Sequence, residues 1–242
     1  LYPDFLKNIN ELISAYPGAG LYHTHLHFID ANGKLIRNSK PMNSFYTFND
    51  LLKAFLTQSA DSMGTGYVMR SKDYDDIDGI PVKYPSLLFA DFELWLRLAA
   101  KGGMVVHKDY SFAFRVHNST TGSSKDNTLH TALNLYTNYL TGVKQQDAGM
   151  AQVIDKYAPE MLLFYCKGFA HRLLRTPLEK RNGITVAAFI SSTKNMALKL
   201  GVQEYYKPET VKPILLAKII DSNSLLRKLF LLFKKIFPKP VM

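Results

Sequence analysis

Hydrophobic positions in the first half of the chain switch between helical and strand-like spacing. Residues 3–16 carry apolar side chains at positions 5, 6, 9, 12 and 13, which is the spacing of one helix face. Residues 20–29 are rich in strand-forming types, and residues 30–33 have the composition of a tight turn. The further elements predicted here are strands at 34–36, 67–69, 103–107 and 111–117 and helices at 48–59 and 91–101. This order predicts an α/β fold for residues 1–122.

The pattern changes after Thr120. Residues 122–127 are a polar connector, and almost all later positions have helical spacing. The predicted helices are 128–143, 148–157, 159–176, 183–200 and 209–237, the last with a break near 221–224. We therefore expect a helical extension over 123–221 and a separate C-terminal helix within 222–242.

Composition and charge narrow the class of protein. The chain has 242 residues, of which 47% are hydrophobic, so it is not a disordered protein. Its one cysteine, Cys166, excludes an intrachain disulfide, and no run of about 18 apolar residues predicts a membrane-spanning helix. The net charge is +10, and half of this excess lies in residues 222–242, which contain five cations and no acid. The chain begins with Leu1 rather than Met, so we expect it to start inside a longer protein.

The basic character therefore belongs largely to one segment, residues 225–237. At 100° per residue eight of its nine apolar side chains fill an arc of about 160°, and Arg227, Lys228, Lys234 and Lys235 occupy the opposite arc together with Leu231. Such a helix is typical of the interface of an anionic membrane. The alternative is that the apolar face docks onto the preceding helices. Nucleic-acid binding is disfavoured, because phosphate contacts do not need a large apolar face.

Candidate chemistry centres on Asp91, which follows an apolar stretch and opens a predicted helix. Backbone N–H groups at a helix start would keep its carboxylate ionised, and an ionised carboxylate there could take a proton from a hydroxyl. Glu93 and Arg97 have the spacing of an ion pair on one helix, and Trp95 lies one turn after Asp91. The alternative is that Asp91 only caps the helix and Trp95 only fills the core.

Three other groups of residues could bind a ligand. Arg115 and His117 alternate along a predicted strand and so share one face, which suits a diphosphate or its metal. Gly64 and Gly66 permit close backbone approach to a ligand. The strand at 20–29 contains three histidines at every second position, a spacing that could hold zinc but is more often a polar sheet face: His23, His25 and His27.

Four segments in order resemble the C-terminal half of a family-2 glycosyltransferase with the GT-A, Rossmann-like nucleotide-sugar fold. They are GLYHTHLHFIDANGKLI (20–36), SMGTGYVMRSKDYDDIDGIP (62–81), LLFADFELWLRLAAKG (87–102) and FAFRVHNSTTGSS (112–124). The third is similar to the acidic catalytic motif of that family, and the fourth to its Arg-x-His-x-Ser segment. The resemblance covers residues 1–122 and implies a partial GT-A sheet followed by an α-helical region.

The resemblance implies that Asp91 is the general base of an inverting transfer to an acceptor hydroxyl. His117 would lie near the metal, and Arg115 would support the leaving diphosphate. Ala90 stands where the family usually has an acid, which leaves Asp91 as the only carboxylate at that step. Glu93, Trp95 and Arg97 would support Asp91. The residues that the resemblance assigns to substrate and diphosphate binding are Gly64, Thr65, Gly66, Arg115, His117 and Ser119.

The family's nucleotide-binding half, with its Asp-x-Asp motif for Mn²⁺ or Mg²⁺, has no counterpart in this chain. We therefore expect the isolated chain to be inactive and to bind no nucleotide sugar tightly. The resemblance implies a nucleotide-sugar donor, a lipid-linked or polysaccharide acceptor, and a cytoplasmic protein held at the inner face of the membrane. A non-catalytic carbohydrate-binding or interaction module derived from such an enzyme is the alternative.

Overall fold

The computed structural model describes residues 1–61, 64–116 and 126–237. The chain divides into two units, Leu1–Gly122 and Ser123–Met242. The first unit is mixed α/β, and the described part of the second is helical.

Four strands of the first unit form one mixed sheet in the order β2-β1-β4-β3. Its central strands, β1 and β4, pair in parallel, whereas β2 and β3 pair antiparallel at the edges. Central strands are covered on both sides, which fits the burial of almost every residue of β1. The strands are β1 (Leu21–Ile29), β2 (Leu35–Asn38), β3 (Phe45–Tyr46) and β4 (Met104–Arg115).

The long strand β4 differs from the two short strands predicted for this stretch. Thr24 pairs with His107, and the next residue, His25, pairs with Tyr110. The extra residues of β4 are thus absorbed by a shift of register, a bulge that bends a strand without ending it. The strand predicted at 67–69 is a single bridge between Val68 and Tyr22.

Helices pack against this sheet through the positions that the apolar spacing predicts. Phe5, Ile9 and Leu12 of α1 are buried in one core cluster with β1 and β4. Helix α4 approaches the start of β1 so closely that a Cβ on Gly20 would lie 1.9 Å from the carbonyl oxygen of Leu98. The helices of this unit are α1 (Phe5–Ala15), α2 (Phe48–Thr57), α3 (Ser71–Asp75) and α4 (Ala90–Gly102).

The second unit is built on the long helix α6. We expected a break at Pro159, but α6 continues through it, and the proline is buried. A proline removes one backbone hydrogen bond, and burial of residues on both sides of it stabilises the helix across the gap. In the described part of the chain, no helix is long and apolar enough to cross a membrane. The helices are α5 (Asp126–Lys144), α6 (Ala148–Arg175), α7 (Val186–Leu200), α8 (Lys212–Ser222) and α9 (Ser224–Ile236).

Candidate functional site

The segment that leads into α4 has an unusual backbone. Ser86, Leu87 and Phe89 have φ values of +54°, +55° and +70°, although none is glycine. Left-handed backbone in bulky residues is strained and persists only where the surroundings impose it. Phe89, not Asp91, is the N-cap of α4, and it makes no side-chain capping bond. The strained segment therefore ends at Phe89, and Asp91 lies in the first turn of the helix that follows.

Asp91 differs from the capping residue that the sequence suggested. Its side chain is half-buried, and it makes no hydrogen bond or ion pair with any described residue. Burial raises the pKa of this carboxyl above its usual value. The expectation that backbone N–H groups stabilise its ionised form was wrong, since no described N–H reaches it. A carboxylate that accepts no hydrogen bond and has a raised pKa is a stronger base than a solvent-exposed carboxylate.

A cavity of about 300 Å³ lies in front of Asp91. Its walls include the rings of Phe92 and Trp95, so an apolar surface faces a single charged group. A Cβ on Gly64 would lie 2.9 Å from Oδ2 of Asp91. The absence of a side chain at Gly64 thus leaves the carboxylate accessible. The lining residues are Gly64, Ser86, Leu87, Leu88, Phe89, Asp91, Phe92 and Trp95.

The glycine turn at 64–66 is fixed by its contacts with the sheet. Gly66 has φ +81°, and a Cβ there would lie 2.2 Å from the ring of Phe112. Its carbonyl oxygen lies 2.9 Å from Nδ1 of His23. A carbonyl can only accept, so Nδ1 of His23 donates this bond. Thr65 is exposed and does not line the cavity.

The ring of Tyr67 is stacked between those of Trp95, which lines the cavity, and His23. Its centroid lies 3.9 Å from that of Trp95 and 4.0 Å from that of His23. Burial lowers the pKa of His23 to about 4, so the ring is neutral at physiological pH. Burial also raises the pKa of Tyr67, and the charge of Asp91 adds to this effect. Sequence reasoning missed Tyr67, for which the only signal was an aromatic residue directly after the glycine turn.

Glu93 supports the site through partners that its helical spacing did not predict. Its buried carboxylate accepts a hydrogen bond of 2.6 Å from the hydroxyl of Tyr84 and lies 2.8 Å from Nζ of Lys83. Within the described residues no ion pair joins it to Arg97, so the predicted Glu93–Arg97 pair was wrong. Glu93 instead ties α4 to the residues that precede the strained segment.

Of the predicted diphosphate-binding residues that the structure describes, Gly64 lines this cavity and Arg115 does not. Nη1 of Arg115 donates to the carbonyl oxygens of Asp30 and Ala31 at 3.0 and 2.7 Å, which holds the turn after β1. His117 and Ser119 lie outside the described residues, and their roles stay predictions.

The histidines of β1 each have a different set of neighbours. Nδ1 of His25 donates to the carbonyl oxygen of His107, and its Nε2 accepts from the backbone N–H of Met42. His27 bonds to the hydroxyl of Tyr2. Among the described residues, no three His, Cys, Asp or Glu side chains are grouped to bind a metal.

Comparison with protein-family models, curated proteins and solved structures found no match to this chain.

Proposed function

We propose that the first unit activates the acceptor in an inverting glycosyltransferase of the family-2, GT-A type. The observation that carries this proposal is the half-buried carboxylate of Asp91, without a partner among the described residues, at the cavity in front of α4. Aromatic walls beside a polar group suit a sugar, whose apolar faces pack on rings while its hydroxyls bond to the polar group. The partly exposed Phe92 provides such a wall, and the buried Trp95, stacked on Tyr67, lines the cavity beside it.

In the proposed reaction, Asp91 takes the proton of an acceptor hydroxyl. The freed oxygen attacks the anomeric carbon of the donor sugar, and a new carbon–oxygen bond forms on the face opposite the leaving group. The bond from that carbon to the diphosphate breaks, and the nucleoside diphosphate leaves with the electron pair. The raised pKa of Asp91 favours its accepting the proton. The donor site belongs to the nucleotide-binding half that the resemblance implies, where Mn²⁺ or Mg²⁺ would neutralise the charge of the leaving diphosphate.

A non-catalytic carbohydrate-binding module is the second candidate. It is favoured by one observation, that Arg115 is occupied by the turn at Asp30 and Ala31 rather than turned toward the cavity. In that case the cavity binds a sugar and no transfer follows.

Asp91→Asn in the full-length gene product separates these candidates. Release of UDP from UDP-glucose, UDP-galactose and UDP-N-acetylglucosamine is measured with Mn²⁺ present and a glycan acceptor mixture. A general base contributes about 10²–10⁴-fold, so we expect a loss of that size in Asp91→Asn. Asp75→Asn is the matched control, because Asp75 is exposed and lies outside the cavity. Equal UDP release by wild type and Asp91→Asn would remove Asp91 from the base role, and sugar binding without UDP release in either would favour the module.

A further inference from the structure

Helix α9 carries an apolar strip that no other described helix covers. None of its residues is buried, although Asn223 caps it through bonds to the backbone N–H groups of residues 225 and 226. At 100° per residue the strip occupies an arc of about 100°. Its members are Leu225, Leu229, Leu232, Phe233 and Ile236, each more than half exposed. Water-exposed apolar strips of this kind mark binding surfaces.

The helix is attached to its unit by a different side. Arg227, Phe230 and Lys234 are the less exposed residues of α9, and they follow one another at helical spacing. Nη1 of Arg227 donates to the carbonyl oxygen of Asp221, and the ring of Phe230 stands perpendicular to that of His171. Phe230 is thus the member of the apolar face that packs toward the preceding helices, whereas the strip stays exposed.

Exposed cations border the strip on one side. At 100° per residue Lys228 and Lys235 lie within about 60° of Leu232 at the edge of the strip, whereas Arg227 and Lys234 lie on the side of the helix that is attached to the unit. The sequence contains no acid from residue 222 to its end. An apolar strip with a row of exposed cations along one edge matches a surface that is negative at the level of headgroups and apolar beneath them.

A cavity of about 390 Å³ opens beside this helix, between α6, α8 and α9. Leu216, Ile220 and Phe230 give it apolar walls, and Lys167 and His171 place cationic or polar groups along it. Gly168 also lines the cavity, and a Cβ there would meet no atom within 4 Å. Its volume falls in the range of about 300–1,000 Å³ typical of ligand sites.

We propose that α9 and this cavity form a binding site for anionic phospholipid at a membrane surface. The strip enters the acyl region, the exposed Lys228 and Lys235 contact phosphates, and the cavity receives part of one acyl chain. A second copy of the chain is a poorer occupant, because antiparallel pairing of two strips would bring the Lys228 and Lys235 edges of the two copies together. The site is separate from Asp91, so Asp91→Asn leaves lipid binding unchanged and the two proposals fail independently.

Flotation of the full chain with phosphatidylglycerol–phosphatidylcholine vesicles tests the role of charge. Each cation near such a surface contributes roughly fivefold to partitioning, so Lys228→Gln with Lys235→Gln reduces it about 30-fold. Lys156→Gln with Lys207→Gln is the matched control, since both lysines are exposed and lie outside α9. The proposal would be overturned if both double variants lost the same fraction of vesicle binding. It would also be overturned if the unmodified chain bound pure phosphatidylcholine vesicles as well as the anionic ones.

The strip and the cavity are tested by separate variants. Leu225→Ser with Leu229→Ser and Leu232→Ser removes exposed side chains, so the helical circular dichroism of the unit is kept while flotation is lost. Binding of dihexanoyl phosphatidylglycerol, measured by calorimetry, weakens at least tenfold in Gly168→Leu, which fills the cavity. Gly142→Leu is its control, because this helical glycine also has open space but lies outside the cavity. Vesicle binding that survives the serine variant, or a chain that forms dimers and ignores vesicles, contradicts the proposal.

Discussion

Replacement of Gly66 by alanine tests the turn that borders the Asp91 cavity. A Cβ at this position lies 2.2 Å from Cζ of Phe112, a buried core residue, and the backbone has φ +81°. Left-handed backbone costs alanine about 1–2 kcal/mol, and an extra methyl in a packed core costs about 1–3 kcal/mol. We expect Gly66→Ala to lower the free energy of unfolding by about 2–5 kcal/mol, the sum of these two costs.

Gly33→Ala separates the two contributions. Gly33 has nearly the same backbone, φ +85°, but a Cβ there meets no atom within 4 Å. Only the backbone cost of about 1–2 kcal/mol then applies. The difference between the two variants measures the contact with the ring of Phe112.

Urea unfolding followed by tryptophan fluorescence is the assay. The chain has one tryptophan, Trp95, stacked on Tyr67, so emission reports the first unit and its site directly. We expect Gly66→Ala to shift both the midpoint and the native emission, and Gly33→Ala to shift only the midpoint. Equal losses of stability with unchanged emission would refute the argued packing of the glycine turn.

Four further predictions concern single side chains. Burial raises the pKa of Asp91 in the folded protein. Its contribution to the free energy of unfolding is therefore fully present below about pH 4, where the carboxyl is protonated, and is lost as the pH rises and the buried carboxyl ionises. Asp91→Asn therefore raises the urea midpoint at pH 7 and not at pH 3.5. Asp61→Asn lowers the urea midpoint at pH 7 instead: burial raises the pKa of Asp61, but the hydrogen bonds from Arg37 and from the backbone N–H of Lys40, with the charges of both residues, together outweigh burial and lower it. Asp221→Asn leaves the buried guanidinium of Arg181 without its ion pair and costs about 3–5 kcal/mol, measured by thermal unfolding. Gly168→Ala raises the free energy of unfolding by about 1 kcal/mol in the same assay, because alanine favours a helix more than glycine does and a Cβ at this position of α6 meets no atom within 4 Å.

The fold followed from the sequence wherever apolar spacing decided the element. The spacing at Phe5, Ile9 and Leu12 predicted α1 and its buried face. Local signals failed where distant packing outweighed them. Residues 108–110 look like a turn but continue β4, because the register with β1 shifts to absorb them. Pro159 looks like a helix end but lies inside α6.

The candidate site was predicted in its residue types more than in its chemistry. Motif spacing brought together Asp91, Gly64 and Trp95, which the structure places around one cavity. The spacing of Glu93 and Arg97 indicated an ion pair, yet Glu93 bonds to Lys83 and Tyr84 from the preceding segment. Such contacts depend on the path of a strained loop, and sequence spacing within one helix carries no information about that path.

The pH dependence of sugar transfer tests the central claim most directly. The full-length gene product and its Asp91→Asn variant are compared for UDP release across pH 3–8, with the folded state verified by Trp95 fluorescence. The account predicts an acidic limb centred above the ordinary aspartate pKa of about 3.9, and its loss together with a 10²–10⁴-fold lower rate in the variant. An unchanged rate and an unchanged acidic limb in Asp91→Asn would contradict it.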